Sequence, residues 1–234
     1  MTPRGPLRGM FTAVPGRYDL VNRILTLGLD QVWRREAARE CLQGFPGRIL
    51  DLCTGTGDLA VMLRAMAPAD AQVVAVDFVA PMLEAASRKA GARGGGIRYV
   101  LADAGDLPLR DRSIDCAGIA FGFRNLTYKN PRRAAHLAEI RRVIAPAGRF
   151  VVVETSQPDS DLWRACVHAY HRSITGPIGG SLSGHGPAYR YLAASVRSFY
   201  RSGEVEAMLL DAGFAGVSSR PLLGGAACMH VAVR

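Results

Sequence analysis

An α/β fold with a mostly parallel sheet and helices on both faces is predicted by three observations. Short apolar runs alternate with helical segments between residues 48 and 154. Those runs are apolar nearly throughout, as expected of strands covered on both faces. The chain then closes with one helix and two further strands within residues 203–233, making seven strands. With 234 residues, 49% hydrophobic and 21% charged, the chain has the size and composition of one globular domain.

Residues 1–45 read as a helical lead-in. After Tyr18-Asp19-Leu20-Val21-Asn22, apolar residues recur at spacings of three and four through Ile24, Leu25, Leu27, Leu29, Val32 and Trp33. Gly44-Phe45-Pro46-Gly47 is a turn cluster. Residues 46–155 form the cofactor-binding core. Its strands are 48–52, 72–77, 97–101, 114–121 and 149–154, with helices over 58–66, from Pro81 to about residue 90, and from Pro131 to residue 144. A proline is tolerated in the first turn of a helix, where its missing N–H costs nothing. Ala145-Pro146-Ala147-Gly148 reads as a turn before the fifth strand. Residues 156–201, rich in aromatics, Ser and Gly, are too long for a plain connection and are expected to form a substrate cap carrying one or two helices. Residues 202–234 close the domain with a helix over 203–212 and strands at 217–221 and 228–233.

Composition excludes several classes. Net charge is +9, but of the 29 basic residues only Lys89 and Lys129 are lysine, and the arginines are spread along the chain. That pattern reflects coding bias more than one anionic partner, so no nucleic acid is expected. The charge by itself is compatible with RNA or with contact at an anionic membrane surface. No stretch approaches the ~20 continuous apolar residues of a membrane span. Met1-Thr2-Pro3-Arg4-Gly5-Pro6 has no apolar run behind it, so the cytoplasm is the expected location. Cys41, Cys53, Cys116, Cys166 and Cys228 lie far apart without zinc spacing, so reduced thiols and no metal are expected. A homodimer is compatible with the sequence, although no motif indicates one.

The loop after the first strand reads Asp51-Leu52-Cys53-Thr54-Gly55-Thr56-Gly57-Asp58. Gly55 and Gly57 let the backbone turn tightly and approach a ligand, and the next helix points its N-terminus at the same spot. Twenty residues after Gly57 comes Asp77, at the carboxyl end of the second strand, where a carboxylate can accept from both ribose hydroxyls. A dinucleotide would satisfy these features equally well. However, the third glycine of the dinucleotide fingerprint is replaced by Ala60, and the third strand is followed by Asp103-Ala104, which sets a carboxylate beside a purine. One adenosine without a second nucleotide half fits S-adenosylmethionine. The closing strand pair suits the same reading, that of a Rossmann-like class I S-adenosylmethionine-dependent methyltransferase.

The sequence resembles the quinone-biosynthesis C-methyltransferases, the demethylmenaquinone methyltransferase and polyprenyl benzoquinol methylase group, over about residues 9–234. The resemblance is carried by Met10-Phe11 through Asn22, by residues 50–60, and by Ala120-Phe121-Gly122-Phe123-Arg124-Asn125-Leu126-Thr127. It continues in Tyr189-Arg190-Tyr191-Leu192 with Ser195 and Phe199, and in Ala212-Gly213-Phe214 with Gly224-Gly225 and His230. The Phe-Gly-x-Arg-Asn block is the most specific part. The resemblance implies cofactor contacts at Thr56, Asp77, Asp103-Ala104 and Ala120. Ala120 is Ser in some relatives, so one hydrogen bond is lost here. Thr155, the Ala145–Gly148 stretch and Phe199-Tyr200 also depart from the usual family residues.

The implied reaction is methyl transfer to a carbon of a polyprenylated quinol, demethylmenaquinol first, with a benzoquinol or another small-molecule acceptor as the alternative. A phenolate pushes electron density onto the neighbouring ring carbon, which attacks the sulfonium methyl in line. The protein must align the two reactants in a water-poor pocket. Arg124, just past the fourth strand, is expected to stabilise the phenolate, with Asn125 orienting cofactor or ring. Tyr191, with Tyr189, is expected to close the cap over the ring. His168 and His171 share a helix face and are further candidates for a base. The basic amphipathic segment 162–170 is compatible with docking on a bilayer that holds the prenyl tail.

Overall fold

The computed structural model describes residues 15–44, 47–92, 95–183 and 186–234. Met10-Phe11, Phe45-Pro46 and the side chain of Tyr18 lie outside what it describes. The lead-in forms α1 (Pro15–Leu25) and α2 (Leu29–Cys41), joined through Leu27 and Gly28 in the left-handed region (φ 53° and 78°). The core follows as β1 (Arg48–Leu52), α3 (Asp58–Met66), β2 (Gln72–Asp77), α4 (Ala80–Gly91), β3 (Ile97–Leu101), β4 (Ile114–Ala120), α5 (Phe123–Thr127), α6 (Arg133–Val143) and β5 (Ile144–Thr155). The cap comprises α7 (Asp161–Tyr170), a π turn (His171–Thr175), α8 (Gly176–Ser183) and α9 (Gly186–Arg197). The chain ends with α10 (Ser202–Asp211), β6 (Gly216–Leu222), a 3-10 turn (Leu223–Gly225) and β7 (Ala227–Val233).

The seven strands form one sheet in the order β3-β2-β1-β4-β5-β7-β6. The first five strands pair parallel, and β7 runs antiparallel to both of its neighbours. Successive residues of each strand point to opposite faces. Leu50, Leu52, Ala117, Ile119, Phe150 and Val152 accordingly pack on one side, with Leu137 and Ile140 of α6 and Leu209 of α10. Ile49, Val73, Cys116, Val151 and Val153 pack on the other, against Ala37 and Cys41 of α2 and Leu59 and Leu63 of α3. Both faces are therefore buried.

Three expectations are refined. The turn at 145–148 lies inside β5 as a bulge: pairing jumps from Ile114↔Ile144 to Cys116↔Arg149, and Ala147 takes φ 60°. The segment after β4, to which the sequence assigns no element, contains the short helix α5. The cap holds three α-helices and a π turn, where one or two helices were expected. Its glycines weaken helix propensity, but buried Tyr189, Ala193 and Val196 recur at helical spacing along α9, so packing sustains it.

Candidate active site

The chain runs outward from β1 to β2 and β3, then returns to β4 on the other side of β1. Ligands of open α/β sheets bind at the carboxyl ends of the strands where the order reverses. A cavity of about 430 Å³ lies there. The loop from Asp51 to Thr56, the end of β2, Ala102–Ala104 and Ala120–Gly122 all line it. All eight residues expected at the cofactor are thus accounted for: seven line the cavity, and Gly57 starts α3 beside it. Gly57 takes φ +83°, and a Cβ on it would stand 2.8 Å from the Ala86 Cβ, so the loop and α4 meet at a distance only glycine allows.

Loop and carboxylates hold each other. Gly55 N–H donates to Asp77 Oδ2 at 2.9 Å, and Val79 N–H to Asp77 Oδ1 at 3.0 Å. Burial raises the Asp77 carboxyl above its ordinary range, and these backbone donors only partly offset it. Thr54 Oγ1 donates to Asp51 Oδ2 at 2.6 Å, and the Thr54 N–H donates to the Val76 carbonyl of β2 at 2.9 Å. Asp51 is 1% exposed, and burial pushes its carboxyl up to about 7 despite the Thr54 hydroxyl and the nearby Arg34 charge. At the far end, Asp103 accepts from Arg132 Nη1 at 3.0 Å and from Gly105 N–H at 2.8 Å, with His136 Nε2 at 3.6 Å. These features fit an adenosine cofactor: the Asp77 carboxylate at the cavity wall could accept from vicinal hydroxyls, and Phe78 and Met82 could give a purine apolar cover.

Asn125 and Tyr191 also line the cavity, and Tyr191 remains 39% exposed at the cap. Arg124 is placed differently. It is 4% exposed and is not among the described residues that line the cavity. Its N–H donates to Glu154 Oε2 at 2.9 Å, and its Nη1 to Ser195 Oγ of α9 at 2.7 Å. Its Nε lies 3.9 Å from Glu154 Oε1, close enough for charge attraction but without a hydrogen bond. The buried Glu154 carboxylate draws the guanidinium inward, so in this conformation Arg124 ties α5 to the end of β5 and to the cap and does not face the cavity. His168 bonds Gln157 Oε1 through Nε2 at 2.7 Å, His171 bonds Thr175 through Nδ1 at 3.0 Å, and neither lines the cavity. Burial, then neighbouring positive charge, lowers the His171 imidazole to about 4.

Tyr18, Asp19 and Asn22 of the lead-in are expected from the sequence to fold over the cofactor; the partners that fasten Asp19 there, and the contributions of Lys89 and Arg34, are not found in it. Asp19 of α1 accepts from Thr56 Oγ1 at 2.5 Å and from Lys89 Nζ at 2.6 Å. Lys89 also reaches Asp58 at 2.6 Å. Arg34 of α2 lines the cavity while paired to Asp30 at 2.6 Å. The i, i+4 spacing of Asp30 and Arg34 was the one local signal available. Arg132 and His136 carried none, because their partner Asp103 belongs to another strand end.

The model of the ubiE/COQ5 methyltransferase family matches residues 4–234. A demethylmenaquinone methyltransferase of Thermus thermophilus is 45% identical over 225 residues, covering 96% of this chain and all of that protein. One of Deinococcus radiodurans is 42% identical, covering 88% of this chain and 83% of that protein. A ubiquinone/menaquinone biosynthesis C-methyltransferase of Syntrophotalea carbinolica is 40% identical, covering 99% and 95%. Among solved structures, a SAM-dependent methyltransferase of Aquifex aeolicus superposes with a TM-score of 0.57 at 21% identity over 84% of this chain and 88% of that one. At that identity the likeness concerns the fold.

Proposed function

The chain belongs to the ubiE/COQ5 methyltransferase family, and from that premise we propose that it is the S-adenosylmethionine-dependent C-methyltransferase that converts a polyprenylated demethylmenaquinol to menaquinol. The observation that carries the reading is one continuous cavity joining the glycine loop to Phe121, Asn125, Tyr128 and Tyr191. Cofactor-binding groups and an aromatic, acceptor-sized wall thereby share one space. Relatives named for demethylmenaquinone methylation at 42–45% identity favour the naphthoquinol ring. Relatives named for both quinones keep the benzoquinol as the alternative substrate.

When bound, S-adenosylmethionine supplies an electrophilic methyl group. Asp77 would hold its ribose, Asp103 would face its purine, and the backbone at Gly55 and Gly57 would leave room for it to approach. Ala120 adds only apolar contact. Asn125 and Tyr191 are the polar groups that would touch the acceptor ring and orient its oxygens. Arg124 acts as a positioning residue: it locks α5, and with it Asn125, to Glu154 below and to Ser195 of the cap above. Closing the cap lowers the local dielectric around the ring oxygen.

The prenylated substrate calls for peripheral contact with a bilayer from the cytoplasmic side. Exposed Leu20, Ile24 and Leu27 fall at helical spacing in and just after α1, and Leu162 and Ile178 stand exposed on the cap helices. α1 adjoins the cap, where Tyr170 donates to the Leu25 carbonyl at 2.7 Å. Co-sedimentation with anionic vesicles tests this contact, and equal recovery with and without vesicles refutes it.

The reaction is tested by transfer of labelled methyl to chemically reduced demethylmenaquinol, beside the matching demethyl benzoquinol, for the native chain and Asn125→Ala. Label in the naphthoquinol product, reduced at least tenfold in the variant, is expected; a loss of that size corresponds to one hydrogen bond made in the transition state. Cofactor binding without transfer to either quinol would overturn the proposal.

A further inference from the structure

Four strand ends meet the cavity in spatial order, and together they give it a direction. Asp103 and its partner Arg132 follow β3, Asp77 ends β2, the loop from Asp51 to Gly57 follows β1, and Phe121-Gly122 follows β4. With a ribose at Asp77 and its purine toward Asp103, the remaining arm of the ligand must run toward β1 and β4. Its carboxylate would enter a region walled by Asp51, which makes a counter-charge essential.

Arg34 stands at that end. It is 8% exposed, projects from α2 and lines the cavity. Among the described residues, its hydrogen bonds all use Nη1, to Asp30 Oδ2 at 2.6 Å and to the Asp30 carbonyl at 3.4 Å, so Nη2 and Nε are left over. Its guanidinium carbon sits 4.8 Å from the centre of the Phe121 ring, which Trp33 buttresses at 6.1 Å. Asp30 is itself fixed by Thr26 Oγ1 and Gln31 Nε2, each at 2.9 Å. The group is therefore held rigid before any ligand arrives, and pre-organisation of this kind lowers the cost of binding. The other cations on the cavity wall are differently placed. Arg132 is committed to Asp103 at 3.0 Å, and Lys129 lies over the Tyr128 ring at 5.3 Å.

We propose that Arg34 is the carboxylate-binding residue for the amino-acid arm of the cofactor, with the pair Asp30–Arg34 acting as a pre-set clamp on α2. This rests on the proposed cofactor reading. It also gives the lead-in a direct part in cofactor binding, since α2 then contributes a ligand-contacting side chain.

The experiment compares S-adenosylmethionine with its decarboxylated analogue, which keeps the ammonium and sulfonium and lacks only the carboxylate, by calorimetric titration. The native chain is expected to bind the carboxylate-bearing form about 10- to 100-fold more tightly, the range of one charge-assisted hydrogen bond. Arg34→Met should bring the two affinities together, and Arg34→Lys should restore part of the gap. Because Arg34→Met orphans the Asp30 carboxylate, Asp30→Asn/Arg34→Met is titrated beside it. A preference for the carboxylate form that survives in the double variant overturns the role of Arg34. Failure of both ligands to bind the native chain overturns the cofactor reading itself, a result distinct from unequal binding that ignores residue 34.

Discussion

Replacing Lys89 by Met removes one charge and keeps the aliphatic stem. The ammonium of α4 bridges Asp19 of α1 and Asp58 at the start of α3, each at 2.6 Å, with side chains 9–25% exposed. A hydrogen bond to a charged group contributes about 1.5–3 kcal/mol when its partners are well shielded. Complete loss of one partner in a fully buried pair costs about 3–5 kcal/mol. Here Asp58 would keep Gln31 Nε2 at 3.0 Å and Arg23 at 3.6 Å, and the site is partly wetted. The net loss should therefore be about 2–3 kcal/mol, between one bond and a buried orphan. Urea unfolding at pH 7 reads it, and hydrogen exchange along α1 locates it, since Asp19 is the anchor being released. The pH dependence gives an independent check. Burial raises the Asp58 carboxyl, but the hydrogen bond and charge of Lys89 outweigh it and hold the carboxyl below its ordinary value. A carboxyl depressed in the folded state stabilises above its unfolded pKa of about 4, and that stability is lost as pH falls through the lower folded value. The gap between native and variant chains should then narrow as pH drops from about 5 to about 3. A variant within about 0.5 kcal/mol of native at pH 7, or a gap indifferent to pH, would refute the bridge as a stabilising element.

Two further expectations concern the cofactor loop. Gly57→Ala forces a Cβ to 2.8 Å from Ala86 Cβ at φ +83°; stability should fall by about 2 kcal/mol and cofactor affinity by about tenfold, checked by urea unfolding and calorimetric titration. Burial lifts the folded Asp51 carboxyl to about 7 from 3.8, so the folded state retains a proton that the unfolded chain releases between those values. The cofactor-free protein should lose stability as pH rises through that window and level off above it; scanning calorimetry of Asp51→Asn should show this component absent.

The cofactor half of the site was legible because it is local in sequence. Gly55, Gly57 and Asp77 owe their places to a strand end, a tight turn and a helix start, each of which leaves a mark within a few residues. The five core strands were equally plain, since burial on both faces makes them continuous apolar runs. The cap was harder. Helices α8 and α9 begin at Gly176 and Gly186, each with proline at the next position, and glycines at 179 and 180 dilute any periodic signal. The helicity of α9 depends on Tyr189, Ala193 and Val196 finding a surface to bury against, a fact of tertiary structure that no window of sequence contains.

Arg124 shows the same limit at the scale of one side chain. Its sequence position, just beyond a strand end at the ligand edge, favours an outward guanidinium. Its actual direction is set by Glu154, thirty residues later, whose carboxylate is 1% exposed and already accepts from the Thr155 N–H and hydroxyl. A carboxylate that deep needs a cation, and the first turn of α5 brings Arg124 alone within ion-pair distance of it among the described residues. The demand of one buried charge thus overrides the local geometry that favours substrate contact. What this leaves at the cavity wall is Asn125, the next residue of the same five-residue helix, anchored from behind by the arginine it follows. The Arg-Asn pair then divides by direction: one side chain holds the floor of the site to the cap, and the other lines the cavity. On this geometry, Arg124→Lys should lower the turnover number while leaving cofactor affinity unchanged, because an ammonium can neutralise Glu154 but cannot also span to Ser195.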